Sequence, residues 1–206
     1  MISVGKTSAA YDKFKKKLET VQHLQEDVTE YITRLFSSGN LTEQQSEQTA
    51  GLLYVTNNIQ RIADRCQDID GIWDQIESKG MKLSATANEE LGNCIAITWD
   101  SLNQAMEAVK EGSAEQAEQV FKNKKKMNKA EKKFNKAHLN RVKEQKCDPG
   151  LTIGFSGILY NLERAADNCV SIAEEALDNT GFVQLGEDAR EFAMDAVAES
   201  VALGDK

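Results

Sequence analysis

Glu163 and Asp167 stand four positions apart in a run that reads as helix, so their carboxylates share one face, one turn above the other. Oxygens converging from adjacent turns suit a hard or borderline cation, such as a divalent or iron-type metal ion. Asp64 and Asp68 repeat the spacing earlier in the chain, and Gln60 lies one turn before Asp64. Carboxylates at this spacing are also common on solvated helix faces. On that second reading Arg61 and Arg164 pair with neighbouring acids and tie helix to helix. The residues alone leave both readings open.

A second chemistry is carried by lysine. From 122 to 146 there are ten Lys and one Arg against Glu131 and Glu144, a formal +9, so the rest of a chain of net charge −8 carries −17. The apolar seam through this stretch is narrow: Val120, Met127 and Phe134, with Ala130 and Ala137. Lys125, Lys129, Lys132 and Lys136 fall on the outer side and make a positive stripe. Such a stripe suits an anionic partner, a lipid surface or an acidic protein. Alternatively it is merely solvated, or neutralised from within by Glu187, Asp188 and Glu191.

The remaining reactive side chains form no catalytic constellation. The four cysteines show no metal-ligand spacing. Cys66, Cys94 and Cys169 fall on apolar helix faces, where a reduced thiol behaves as a small hydrophobe. Cys147, beside Pro149, is expected to be more exposed. His23 and His138 have no second ligand at suitable spacing, and a surface or helix-interface role follows. Nucleophile elbow, phosphate loop and dinucleotide fingerprint are all missing from the sequence. Nothing here makes the case for an enzyme. The negative net charge argues against nucleic acid as a partner.

The elements that must position these residues are helices. A single proline and few aromatics disfavour sheet. Apolar residues recur at helical spacing over 8–38, with Gly39-Asn40 as the stop. A second helix opens at Thr42 with Gln45 three residues on and closes at Lys79-Gly80. The third runs from Ser84 to Gly112. Ser113 and Gln116 open the fourth, which reaches about 146 before Asp148-Pro149-Gly150 breaks it. The fifth carries Ile158, Leu162, Cys169 and Ile172 and ends at Asn179-Thr180-Gly181. A shorter amphipathic segment covers 187–203. No run is long and apolar enough to span a bilayer, and residues 1–6 are too short and polar for a signal peptide.

A repeat sets the register. Asn58-Ile59-Gln60-Arg61-Ile62-Ala63-Asp64-Arg65-Cys66 returns 103 positions on as Asn161-Leu162-Glu163-Arg164-Ala165-Ala166-Asp167-Asn168-Cys169, and Ile69 answers Ile172. One structural unit used twice is implied. Ile59, Ile62, Cys66 and Ile69 should superpose on Leu162, Ala165, Cys169 and Ile172 in similar cores. The expected fold is all-α, an elongated bundle of long antiparallel helices in two related three-helix units. They occupy 1–80 and 81–182, with 183–206 a closing amphipathic helix. The first unit lacks its opening helix, which an upstream segment or 187–203 would supply.

The repeated Asn-Leu-Glu-Arg-x-x-Asp signature, preceded by helical hairpins, resembles the PhoU family. The run from Asp27-Val28-Thr29-Glu30-Tyr31 through Leu41-Thr42-Glu43-Gln44 is similar to the PhoU-like C-terminal region of bacterial sodium/phosphate cotransporters. So are His138-Leu139-Asn140-Arg141-Val142, Cys147 and Leu159-Tyr160-Asn161-Leu162-Glu163-Arg164. The resemblance implies two three-helix units and negative regulation of phosphate uptake. It implies a metal at Glu163 and Asp167, and at Asp64, although Gln60 stands where an acid is expected. The implied protein is a cytoplasmic regulatory domain at the inner face of the cell membrane, part of a longer transporter. The alternative is a free-standing metal-binding regulator of phosphate transport and signalling. Partners in view are the transporter's membrane region in the same or a separate chain, an anionic membrane surface, and a second copy in a homodimer.

Overall fold

Helix-capping chemistry decides where this chain turns. In the computed structural model, which describes residues 8–178, the five helices are α1 Ser8–Ser38, α2 Glu43–Ser78, α3 Ala85–Glu111, α4 Ala114–Lys143 and α5 Leu151–Asp178. Among the described residues there is no strand. Thr42 caps α2 in a full capping box with Gln45, and Ser84 and Ser113 accept from the backbone N–H groups of Ala87 and Gln116. Gly80 and Gly112 end α2 and α3 at φ +66° and +63°.

Helix α4 stops three residues earlier than its sequence suggests. Gln145 takes φ +57°, and the N–H groups of Gln145 and Lys146 bond back to the carbonyls of Val142 and Arg141. This is the same closing pattern that Gly80 and Met81 make after α2, built on a residue with a Cβ.

Helix α5 is the hub. It packs on α2, α3 and α4, and α3 packs on α4, so α3, α4 and α5 form a closed three-helix unit. Helix α1 packs substantially on α2 alone. Two cores result. One gathers Ile62, Ala105, Ala117, Val120, Cys169 and Ile172; the other gathers Leu91, Cys94, Met127, Phe155, Leu159 and Leu162. Helices α2 and α5 approach closely and antiparallel where α5 carries glycine: a Cβ on Gly154 would come within 2.8 Å of Ile76 Cδ1, and one on Gly157 within 3.0 Å of Ile72 Cδ1.

The two copies of the repeat are both helical, but their surroundings differ. Leu162, Ala165, Cys169 and Ile172 are all buried, whereas in α2 only Ile62 is buried, Ile59 and Ile69 are half-covered, and Cys66 is exposed. The expectation of equal cores fails because, among the described residues, α2 packs substantially on α1 and α5 alone. The expected closing helix at 187–203 lies outside the described residues.

Candidate functional site

Lys124 lies on the buried seam of α4, four residues after Val120 and three before Met127. Its side chain therefore points inward, toward α5, and is only 14% exposed. The ammonium Nζ stands 2.5 Å from Glu163 Oε1 and 2.5 Å from Asp167 Oδ1, and also donates to the Glu163 carbonyl at 3.2 Å. Arg164 holds the second Asp167 oxygen at 3.0 Å from within α5. The structure thus brings Glu163 and Asp167 together and fills the space between them with a cation of the protein's own.

This arrangement does not fit a resident metal ion. Lys124 takes the position that an ion would need, and its charge repels one. Among the described residues no group of three or more His, Cys, Asp or Glu side chains converges on such a site. What the cluster does is hold α4 to α5 through charge-assisted hydrogen bonds.

The first unit answers differently. Gln60 donates to Asp64 Oδ1 at 2.9 Å, and Arg65 donates to Asp68 Oδ2 at 3.1 Å. Gln60 and Asp64 face a polar cleft of about 510 Å³ between α1 and α2, where Glu19, Gln22 and Glu26 of α1 stand opposite. One acid fewer than in the second unit goes with the absence of a buried lysine. Asp64 and Asp68 point to separate partners and do not converge.

The arginines expected to join helices do so at other positions. Arg164 pairs within α5, while Arg65 reaches across to Asn161 Oδ1 at 3.3 Å. Another cross-helix pair was not singled out by the sequence: Arg141 of α4 grips Glu90 of α3 with both terminal nitrogens, at 2.9 and 2.6 Å. Glu90 lies three residues after Ala87 and four before Cys94, on the buried face, which was the available signal. Next to this pair His138 is sealed from solvent and stacks on Phe155, ring centroids 4.5 Å apart. Burial, then the neighbouring Arg141 charge, pushes the imidazole below its ordinary pKa, against an opposing pull from Glu90.

Burial pushes Cys94 and Cys169 up to about 12. Cys147 is half-buried, more exposed than Cys94 and Cys169 but less than Cys66, with its sulfur 3.9 Å from His138 Nδ1.

The basic stripe is present as a surface. Lys125, Lys129, Lys132 and Lys136 are all exposed on one side of α4, and none makes an ion pair among the described residues. Glu187, Asp188 and Glu191, the candidates for internal neutralisation, lie outside those residues. Among the described residues no helix is long and apolar enough to cross a membrane.

Residues 91–176 match the family model of the PhoU domain. The match runs from the first turns of α3 to the last turn of α5, the closed unit that contains the Lys124 cluster. No curated protein and no solved structure matches the chain.

Proposed function

We propose that this chain is a PhoU-like regulatory domain of phosphate uptake, attached to or acting upon a sodium/phosphate cotransporter at the cytoplasmic face of the cell membrane. The observation that supports this is the PhoU-domain match itself, because the matched residues fold as the closed α3–α4–α5 unit whose motif α2 repeats. The domain works by binding and conformational coupling. A displacement of α1 and α2 passes to α3 and α4 through α5, the helix that packs on α2, α3 and α4. The exposed lysine stripe supplies attraction for an anionic surface near the transporter.

Co-purification tests the reading. A tagged copy of the chain is incubated with the membrane region of a sodium/phosphate cotransporter in mild detergent. Retention that weakens with added salt supports the proposal, and absence of retention even at low salt contradicts it.

A further inference from the structure

His138 and Cys147 are nine residues apart, a spacing that would put them on opposite faces of a continuous helix. The end of α4 brings them together. Gln145 turns the backbone at φ +57°, and the Lys146 N–H bonds back to the Arg141 carbonyl. Cys147 Sγ then stands 3.9 Å from His138 Nδ1. A thiol and an imidazole nitrogen that show no ligand spacing in the sequence thus face each other in the structure.

The imidazole is held for this contact. His138 is 1% exposed, and its ring lies on Phe155 with the planes 14° apart. Nε2 is buried without a hydrogen bond, so among the described residues Cys147 is the polar group that the ring meets. A buried imidazole nitrogen left in this way calls for an explanation. Burial and the Arg141 charge keep the ring neutral near pH 7, which leaves a lone pair to offer a ligand. Cys147 is half-buried, so the pair is reached from solvent through its sulfur.

We propose that Cys147 Sγ and His138 Nδ1 bind a soft monovalent cation of the Cu(I) type. The inference does not depend on a role in phosphate uptake. An ion with bonds of about 2.3 Å to sulfur and about 2.0–2.1 Å to nitrogen, the lengths that zinc makes, fits the 3.9 Å gap at an angle of about 125–130°. Neither side chain has to move. The thiol releases its proton to water as the ion binds, and the thiolate sulfur and the neutral imidazole nitrogen become its ligands.

Ligand number and charge choose the ion. Among the described residues no third His, Cys, Asp or Glu joins the pair, so the four ligands of a structural zinc site are not assembled. Thiolate sulfur selects Cu(I), and imidazole suits copper as well. A thiolate with a monovalent ion is neutral overall. A divalent ion would leave a positive charge in a half-buried place beside Arg141, which lies near enough to interact with a Cys147 thiolate. Glu90 is no substitute ligand, because Arg141 holds both of its oxygens.

Competition for Cu(I) tests the inference in the full, reduced chain without oxygen, with bicinchoninate as the coloured competitor. The native chain should take one equivalent of Cu(I) from the chelator. C147S, and H138F with its ring still able to stack on Phe155, should each bind at least about tenfold more weakly, since even a group that merely supports a ligand is worth that much. C66S removes an exposed thiol and should leave the affinity unchanged. No transfer of Cu(I) to the native chain, native affinity in C147S or H138F, or an equal loss in C66S would overturn the inference. Thermal melting supplies a second reading. Cu(I) should raise the Tm of the native chain and not that of C147S, because a ligand of the folded state stabilises it. Equal shifts in the two proteins would place the ion elsewhere and overturn the inference as well.

Discussion

Lys124 shows how one side chain changes the meaning of a motif. Two carboxylates one turn apart can be read as ligands, but an ammonium between them makes an ion-pair clamp. Removing it leaves two half-buried anions facing each other. Lys124→Ala should lower stability by about 1.5–3 kcal/mol, the range for hydrogen bonds to charged groups. The same change vacates a cation position. The variant should bind Mn²⁺ more tightly than the native chain in calorimetric titration, and adding Glu163→Gln should abolish the gain. Equal Mn²⁺ affinity of the variant and native chain would show that the pair has no latent metal chemistry. His138 gives a pH-dependent prediction at the same scale. Its folded-state pKa is depressed, so as pH falls below about 6.5 the unfolded chain takes up a proton that the folded chain resists. Stability should therefore fall below pH 6.5, by at most about 1.4 kcal/mol per pH unit from this residue. Urea denaturation at pH 7.5 and 5.5 should show a smaller loss for His138→Phe, which can keep the stack on Phe155. An identical loss in both proteins would assign the acid sensitivity elsewhere.

At the level of the helices, most of the fold was legible because its punctuation is chemical. Thr42 with Gln45, Ser84, Ser113 and Gly112 each mark an end that local hydrogen bonding enforces. The end of α4 was not legible, since Gln145 carries no sign that it adopts a left-handed conformation. A Cβ there is strained, so Gln145→Gly should stabilise the protein by about 1 kcal/mol in thermal or chemical denaturation. Destabilisation would mean that the Gln145 side chain does more than tolerate the turn. The environment of Cys66 was misread for a different reason. Periodicity identifies which face of α2 is apolar, but whether that face is covered depends on another helix. Lys124 and Glu90 were passed over because charged residues read as solvated by default, although their positions on the buried seams of α4 and α3 were visible in the sequence.

For the whole molecule, an acidic body with one basic helix directs attraction to a single side. Lipid headgroups of negative charge attract lysine at about 1 kcal/mol each near the surface. The native chain should co-sediment with anionic vesicles at low salt, and changing Lys125, Lys129, Lys132 and Lys136 to Glu should remove most of that binding. Vesicle binding that survives the four substitutions would move the contact to another surface. The central claim is regulation of phosphate uptake, and transport itself tests it most directly. Radiolabelled phosphate uptake is measured in cells that carry a sodium/phosphate cotransporter, with and without this chain at equal transporter abundance. The account predicts a lower initial rate when the chain is present. An unchanged rate would contradict it.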